Sequence, residues 1–243
     1  MALSKKLLAV APPALLALLA VQGMQVRRTA LRLPEALGPE RDYAGADGEP
    51  LNLYVIGDSV AAAVGLDDHG TSVAGRLSEL LSRTRPVRMR VLAVSGFNAV
   101  EATDHVAGQL GDADVVIVSI GVNDTKDLHS RRRWRGDLTR LLESVTSQAP
   151  DARVVLIGIP PMEVFPALPV PLGLALGLRS RQMDFIGRQV ADRFPGVRRL
   201  ELPRGGFEVV DDPFARDGFH PSASSHAVFA ARIHALLEEP AHV

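Results

Sequence analysis

Apolar residues change their spacing repeatedly after residue 50. Short apolar runs at 51–56, 89–94, 115–120, 154–159 and 197–202 alternate with longer stretches of mixed character. The runs are rich in Val, Ile and Leu and are nearly continuous, which is typical of strands buried on both faces of a sheet. They predict five strands, of which 197–202 has the weakest pattern.

The stretches between these runs have helical periodicity. Val73 and Leu77 lie four positions apart, as do Leu138 and Leu142. Strand and helix alternating about five times indicate an α/β fold, with a parallel sheet, helices on both faces and right-handed crossovers. Ligands in such folds bind at the carboxyl ends of the strands, so we expect the functional residues directly after them.

A separate apolar segment lies near the N-terminus. Lys5 and Lys6 precede an uncharged run over 7–26, which is long enough to span a bilayer. A cleaved signal peptide and an uncleaved signal anchor both fit. The anchor is favoured because Arg27 and Arg28 follow at once and no Ala-x-Ala pattern ends the run. Residues 1–28 are therefore predicted to be a signal anchor or signal peptide, and the protein membrane-anchored or exported in a bacterial cell envelope.

Residues 29–50 are predicted to form a linker. Their charges are mixed, and proline and glycine interrupt them at Pro34, Gly38, Pro39, Gly45, Gly48 and Pro50. The folded domain is accordingly expected to begin near Leu51 and to occupy 51–243.

Composition excludes several kinds of chemistry. With 27 Lys and Arg against 28 Asp and Glu, the chain has a net charge of -1 and no overall basic field for nucleic acid. It has no cysteine, which excludes thiol catalysis, disulfides and Cys-ligated metals. The histidines outside the motifs described next show no metal-ligand spacing with carboxylates, so no metal or cofactor is predicted. His226 and His234, in the last predicted helix, are interpreted as surface residues.

Four polar motifs occupy the expected functional positions. Ser59, Gly96 and Asn123 follow the first three predicted strands, and His220 precedes the last predicted helix with Asp217 three residues before it. A serine nucleophile needs a base such as histidine, and the base needs a carboxylate that holds its tautomer. The backbone N–H groups of Ser59 and Gly96 and the side-chain amide of Asn123 would form an oxyanion hole.

At these residues the chain resembles the SGNH/GDSL hydrolase family, named for a serine, a glycine, an asparagine and a histidine in ordered blocks. The resemblance covers roughly 51–239, and Val60 stands where the family often has leucine. It implies a three-layer α/β/α sandwich with a five-stranded parallel sheet, the flavodoxin-like fold of SGNH hydrolases. It also implies hydrolysis of esters or thioesters, lipids and acetylated sugars among them, without a metal or cofactor.

The combined prediction is a serine esterase that acts through an acyl-enzyme at Ser59. Each motif alone is also a plausible turn or helix cap, and their order along the chain is what favours catalysis. Two alternatives stay open: an acyltransferase or thioesterase on the same site, and a non-catalytic membrane-attached binding module. The expected partners are a small-molecule or lipid ester and, through the N-terminal segment, a membrane, but no nucleic acid. The sequence does not indicate an oligomeric state.

Two further segments are candidates for binding substrate, lipid or another ligand. Residues 164–178 carry no charge, and three prolines in the first half oppose regular structure, whereas the leucine-rich second half could start a helix. We expect a flap there that lines an acyl pocket, with Leu172 and Leu174 as candidates, or touches a bilayer; packing on the core is the alternative. The basic run 131–135 could bind phosphate, anionic lipid or, least in keeping with the net charge, nucleic acid, or it could be a solvated helix start.

Overall fold

The computed structural model describes residues 2–203 and 210–239, and it describes side chains from Pro13 onward. The strands are β1 (Glu40–Tyr43), β2 (Leu51–Gly57), β3 (Val87–Ala93), β4 (Val115–Ser119), β5 (Arg153–Ile157) and β6 (Val197–Leu200). The α-helices are α1 (Ala2–Thr29), α2 (Val73–Leu81), α3 (Ala99–His105), α4 (Val122–Lys126), α5 (Arg131–Gln148), α6 (Leu172–Ala191) and α7 (Ala223–Glu238).

The described strands form one mixed sheet in the order β1-β3-β2-β4-β5-β6. Strands β2 to β6 pair in parallel with their neighbours, and β1 pairs antiparallel with β3. The predicted α/β fold is confirmed, and the five predicted strands correspond to β2 to β6. The sheet differs from the prediction by one strand, because β1 adds to the edge of β3.

Helices cover the sheet on both faces. One hydrophobic core joins the sheet to α2 and α7, and the other joins it to α3, α5 and α6. Because β2, β4 and β5 are buried almost throughout, they read as continuous apolar runs. Next to the edge, β3 alternates instead, with Arg88 and Arg90 exposed and Met89 buried between them. These layers form the predicted three-layer sandwich.

The order in which the chain adds strands to the sheet changes direction at β2. The crossover from β2 leads to β3 on one side, whereas β4 lies on the other side and the chain then proceeds to β5 and β6. In open α/β sheets such a reversal leaves a crevice at the carboxyl ends of the two strands, here β2 and β4. The fold therefore places the loops after β2 and β4 next to each other.

Residues 34–43 pack against the domain and so differ from the predicted linker. The N–H of Gly65 donates to the carbonyl of Pro34 at 2.9 Å, and the N–H of Val91 donates to that of Pro39 at 2.8 Å. Strand β1 follows directly. Its sequence, Glu-Arg-Asp-Tyr, is largely exposed, so it lacks the apolar pattern that marks a buried strand.

Helix α1 touches the domain through Gln22. Its Nε2 donates to the carbonyl of Val170 at 2.8 Å, and its Oε1 accepts from the N–H of Leu172 at 3.1 Å. Among the helices whose residues are described, none has both the length and the apolar character that crossing a membrane requires. Part of the predicted span, residues 7–12, lies outside the described side chains. The assignment of 1–28 as signal anchor or signal peptide stays a prediction.

The interpretation of His226 as a surface residue is wrong. Its side chain is fully buried where α7 packs against α2, and its Nδ1 accepts from the N–H of Val73 at 3.1 Å. Its Nε2 has no hydrogen-bond partner among the described residues. Burial, reinforced by repulsion from His69 and His220, lowers the pKa of His226 to about 3. The ring is therefore neutral at physiological pH.

The buried His226 predicts a loss of stability in acid. In the unfolded chain a histidine binds a proton below pH of about 6.5, whereas folded His226 stays neutral until about pH 3. The free energy of unfolding therefore falls as the pH drops below about 6.5, by about 2 kcal/mol at pH 5 from this group alone. His226→Asn retains an acceptor for the N–H of Val73 but does not titrate. Denaturant unfolding at neutral pH and near pH 5 should show a smaller loss in the variant; equal losses would contradict the prediction.

Candidate active site

The turn that carries Ser59 begins at a close contact between β2 and β4. At Gly57, φ is +129°, and a Cβ there would overlap the carbonyl oxygen of Ser119. The next N–H, that of Asp58, donates to this same oxygen at 2.9 Å. Only glycine fits the first position, so the carboxyl end of β4 fixes where the Ser59 turn starts.

Asp58 is a structural carboxylate beside Ser59. It is 1% exposed, and its Oδ1 accepts from the N–H of Val60 at 3.1 Å and from Ser119 Oγ at 3.2 Å. Burial raises the pKa of Asp58 to about 7, and repulsion from Asp124 acts in the same direction. The Asp58 side chain therefore bonds the turn to β4, and its pKa lies close to neutral pH.

His220 and Asp217 form a tight pair within one loop. His220 Nδ1 lies 2.6 Å from Asp217 Oδ2, and the other carboxylate oxygen accepts from the N–H groups of Phe219 and His220 at 3.0 and 3.1 Å. Burial favours the neutral acid, but the hydrogen bonds from His220 and Phe219 outweigh it and hold the pKa of Asp217 below its usual range. Asp217 is therefore an anion at neutral pH, which places the ring proton of His220 on Nδ1 and leaves Nε2 as a base.

Ser59 and Gly96 offer unused backbone donors. In the part of the chain that the structure describes, the N–H of neither residue donates to a protein acceptor. Gly96 has φ of +97°, and no atom lies within 4 Å of the position that a Cβ would take, so its N–H is open to approach. Asn123, in α4, donates one N–H of its amide to the carbonyl of Phe97 at 2.8 Å, which leaves the second N–H for another acceptor.

Asp124 links the Asn123 helix to the segment after Gly96. Its side chain is fully buried; Oδ2 accepts from the N–H of Ala99 at 3.3 Å, and Oδ1 lies 3.0 Å from His129 Nδ1. Burial raises the pKa of Asp124, and the hydrogen bond from His129 opposes that rise. Asn123 and Asp124 together therefore bond two points of the loop that enters α3, and they fix that loop relative to α4.

Sequence reasoning missed His129. It lies five residues after Asp124, and the chain turns back between them at Leu128, where φ is +59°. Arg179 of α6 secures this turn by donating to the carbonyls of Thr125, at 2.9 Å, and of His129. No periodicity signals such a contact. A histidine shortly after the Asn-Asp pair is the only sequence feature that could have suggested it.

A small cavity of about 30 Å³ contains the proposed nucleophile and base. Ser59 and His220 both line it, and most of the remaining wall is apolar, with Val60, Ile120, Val122, Ile157, Pro160, Phe165, Leu202, Phe219 and Phe229. No hydrogen bond joins Ser59 Oγ to His220 within the described residues, and such contacts often tighten only when substrate binds. Gly96 and Asn123 lie outside this lining and are connected to each other through Phe97.

Of the predicted flap, only Phe165 lines the cavity. Its ring packs edge-on against Phe219, with 4.9 Å between the ring centroids, and Phe219 in turn packs against His220 at 5.3 Å. The leucine-rich half starts α6, where Leu172 is buried and Leu174 is 54% exposed. Neither leucine is among the lining residues, so the expectation that they form an acyl pocket is not met.

Asp124, His129 and Asp137 present possible metal ligands within 4.8 Å of one another. Asp137 is already paired with Arg133, at 3.2 Å, and with Arg140. A cation would have to compete with two guanidinium groups for this carboxylate. The ion pairs therefore explain the cluster without a metal.

Comparison with known proteins extends these observations. The sequence model described as the GDSL-like lipase/acylhydrolase family matches residues 55–228. Among solved structures, one titled "Crystal Structure of TesA" superposes with a TM-score of 0.61 and 19% identity over 77% of this chain and 98% of that chain. A carbohydrate esterase family 2 enzyme with its carbohydrate binding domain, from Corynascus thermopiles (Myceliophthora fergusii), gives 0.62 and 15% over 80% and 68%. At such identities these structures establish the shared fold.

A curated relative matches only in part. An uncharacterized protein of Mycoplasma pneumoniae (strain ATCC 29342 / M129 / Subtype 1) is 30% identical over 126 residues, which is 47% of this chain. The match spans only 14% of that protein.

The link made by Asp124 predicts that its loss weakens catalysis without removing a reacting group. Asp124→Ala frees both the loop at Ala99 and the turn at His129, so the donors at Gly96 and Asn123 lose their fixed spacing. We expect kcat for p-nitrophenyl acetate to fall roughly 10- to 100-fold, less than when an oxyanion donor is removed outright, with KM little changed.

His129→Asn is the matched control, because its amide retains a donor near the position of Nδ1. It should keep most of the activity, and His129→Ala should lie between the two. Wild-type kcat in Asp124→Ala, in a protein whose unfolding temperature confirms that it is folded, would contradict the role assigned to Asp124.

Proposed function

The chain belongs to the GDSL-like lipase/acylhydrolase family, and from its site we propose that it hydrolyses carboxylic esters with Ser59 as nucleophile and His220 as general base. One observation supports this most directly: the His220–Asp217 pair and Ser59 meet at the same small cavity. Asp217 is a pre-formed anion, so His220 Nε2 is ready to accept a proton. Family membership alone does not assign these catalytic roles to Ser59 and His220.

In the proposed first half-reaction, Ser59 Oγ attacks the carbonyl carbon of the ester and its proton passes to His220 Nε2. The carbonyl oxygen becomes an oxyanion. The C–O bond to the alcohol then breaks, His220 returns the proton to the departing oxygen, and Ser59 is left acylated. In the second half, water gives a proton to His220 and attacks the acyl carbon; the bond to Ser59 Oγ then breaks and His220 returns the proton to that oxygen, which releases the acid and restores the serine hydroxyl.

The unused donors support an oxyanion hole at Ser59, Gly96 and Asn123. Two are backbone N–H groups without a protein acceptor among the described residues, and the third is the free N–H of the Asn123 amide. Pre-positioned donors of this kind stabilise developing negative charge, and one of them contributes roughly 3–4 kcal/mol. The bond from Asn123 to Phe97 orients the amide before substrate arrives.

The cavity supports a short acyl group as the substrate. A volume of about 30 Å³ is two to three times the roughly 10–15 Å³ that one water-sized probe needs, which suits an acetyl methyl and not a long chain. Phe165 and Phe219 close the apolar end by packing on each other. One structural relative is a carbohydrate esterase, and we extend a carbohydrate ester to this chain only as part of the proposal.

Substitution of the nucleophile tests the mechanism. Ser59→Ala should lower kcat/KM for p-nitrophenyl acetate by about 10⁴-fold or more while leaving the unfolding temperature unchanged, and adding His220→Ala should cost little more because the residues act as a unit. Wild-type protein should react with a serine-directed phosphonate and Ser59→Ala should not. Absence of labelling in the wild type would favour a binding module, and diversion of the acyl group to added alcohols or thiols would favour a transferase.

A series of p-nitrophenyl esters tests the acyl group. We expect kcat/KM to be at least about tenfold higher for acetate than for octanoate, because the longer chain has to displace packed aromatic rings. Phe165→Ala and Val60→Ala should each shift the ratio toward octanoate. Phe185→Ala, a truncation at a 60% exposed ring outside the cavity, is the control and should leave the ratio unchanged. A wild-type preference for octanoate would refute the short-acyl assignment.

A further inference from the structure

A groove between α5 and α6 combines positive charge with exposed apolar side chains, and the proposed chemistry does not use it. Four arginines line it: Arg131, Arg132 and Arg135 from the start of α5, and Arg181 from α6. Its lining contains no carboxylate. In a chain of net charge -1, this is a local concentration of positive charge.

Most of this charge is uncompensated. Arg131, Arg132 and Arg135 are exposed and form no ion pair with any described carboxylate, and the guanidinium of Arg135 donates to Gln189 Oε1 at 2.8 Å. Only Arg181 is paired, with Glu163. The amino end of α5 adds the positive end of its helix dipole. The groove is therefore suited to phosphate groups, which arginine binds in pairs of hydrogen bonds.

Apolar side chains continue this surface along α6. Leu174, Leu178 and Phe185 are 54%, 63% and 60% exposed and, at spacings of four and seven residues, they share one face of the helix. Arg181 lies on the same face between them. An apolar stripe beside arginines is the pattern of a helix that lies in the interface of a membrane.

Helix α1, which has exposed apolar side chains of its own, contacts the chain at the start of α6. Gln22 of α1 bonds the backbone at Val170 and Leu172, at the start of α6, and Val170 is 72% exposed. On α1 itself, Leu18 and Val21 are 45% and 54% exposed. The apolar surface therefore extends beyond a single helix, as a planar lipid surface requires and a small ligand does not.

We propose that this face, made of the four groove arginines and the α6 stripe of Leu174, Leu178 and Phe185, docks on a bilayer that carries anionic headgroups. The arginines bind lipid phosphates, and the apolar side chains enter the interface. A free phosphate would leave the stripe in water, at a cost. A single-stranded nucleic acid would find one aromatic ring in the groove lining, where successive bases need several.

Docking in this orientation brings the catalytic edge toward the membrane. Helix α6 begins on the side of the carboxyl end of β5, and α5 begins shortly after α4, which carries Asn123. Both helix starts therefore lie at the edge of the sheet where Ser59 and His220 are found. An ester in the membrane would therefore have to move only a short way out of the lipid surface to reach the proposed site.

The lack of cysteine makes a single reporter possible. Gln182, an exposed residue of the groove lining, is changed to Cys in the full chain and labelled with the fluorophore NBD, whose emission shifts to the blue in an apolar environment. Vesicles of phosphatidylcholine mixed with phosphatidylglycerol should produce the shift and phosphatidylcholine alone should not. The same label at Thr84, beyond α2, should not respond to either vesicle.

Charge-matched variants separate this face from general electrostatics. Arg132→Gln with Arg135→Gln should weaken binding to the mixed vesicles about 30-fold, as expected for two arginines at an anionic surface. Arg83→Gln with Arg88→Gln removes the same charge from another side and should change it by less than about threefold. Leu178→Ser with Phe185→Ser should reduce the blue shift.

Several results would overturn the proposal. An equal response to both vesicle types that the arginine pair does not alter would mean that α1 alone binds lipid. A response to inorganic phosphate or to a single-stranded oligonucleotide, without one to mixed vesicles, would assign the groove to another ligand. Turnover of soluble p-nitrophenyl acetate should be unchanged in all these variants, so that failure of docking and failure of the proposed esterase function are distinguishable.

Discussion

The arrangement of the site depends on how closely the ends of β2 and β4 approach each other. Because Gly57 has no side chain, the backbone after β2 comes close enough for the N–H of Asp58 to donate to the carbonyl of Ser119. The hydroxyl of Ser119 in turn donates to the Asp58 carboxylate. The strand that positions the nucleophile turn is thus the strand that leads into Asn123. Sheet register, which is set by burial on both faces, therefore fixes the spacing between the proposed nucleophile and one of the proposed oxyanion donors.

Buried carboxylates then hold the loops that the strands place. Asp58, Asp124 and Asp217 all accept backbone N–H groups, yet their environments differ. Asp217 bonds His220 and stays ionised, whereas burial raises the pKa of both Asp58 and Asp124, and repulsion from Asp124 adds to the rise at Asp58. Three aspartates therefore have different roles: Asp217 orients His220, the proposed base, whereas Asp58 and Asp124 hold the backbone near the proposed oxyanion donors.

The sequence was sufficient to predict the elements whose apolar pattern comes from burial. It was not sufficient for features that depend on a contact visible only in the folded structure. β2, β4 and β5 were predictable because both faces are buried, and the positions of Ser59, Gly96 and Asn123 because parallel strands end at one edge of the sheet. β1 was not, since an exposed edge strand needs no apolar side chains. His226 was misassigned because only its contact with Val73 shows that the ring is an internal acceptor, and His129 was overlooked because a left-handed turn at Leu128 brings it back to Asp124.

The edge strand β1 has a consequence for association between molecules. The seven residues of β3 carry a row of backbone donors and acceptors along the outside of the sheet, and β1 occupies four of these positions. β1 itself presents Glu40, Arg41 and Asp42, with Pro39 before them, to any further strand. Short charged edges resist edge-to-edge pairing. β1 and its charged side chains therefore shield the edge of β3 from pairing with another molecule, and a protease cut that released β1 would expose that edge to edge-to-edge association.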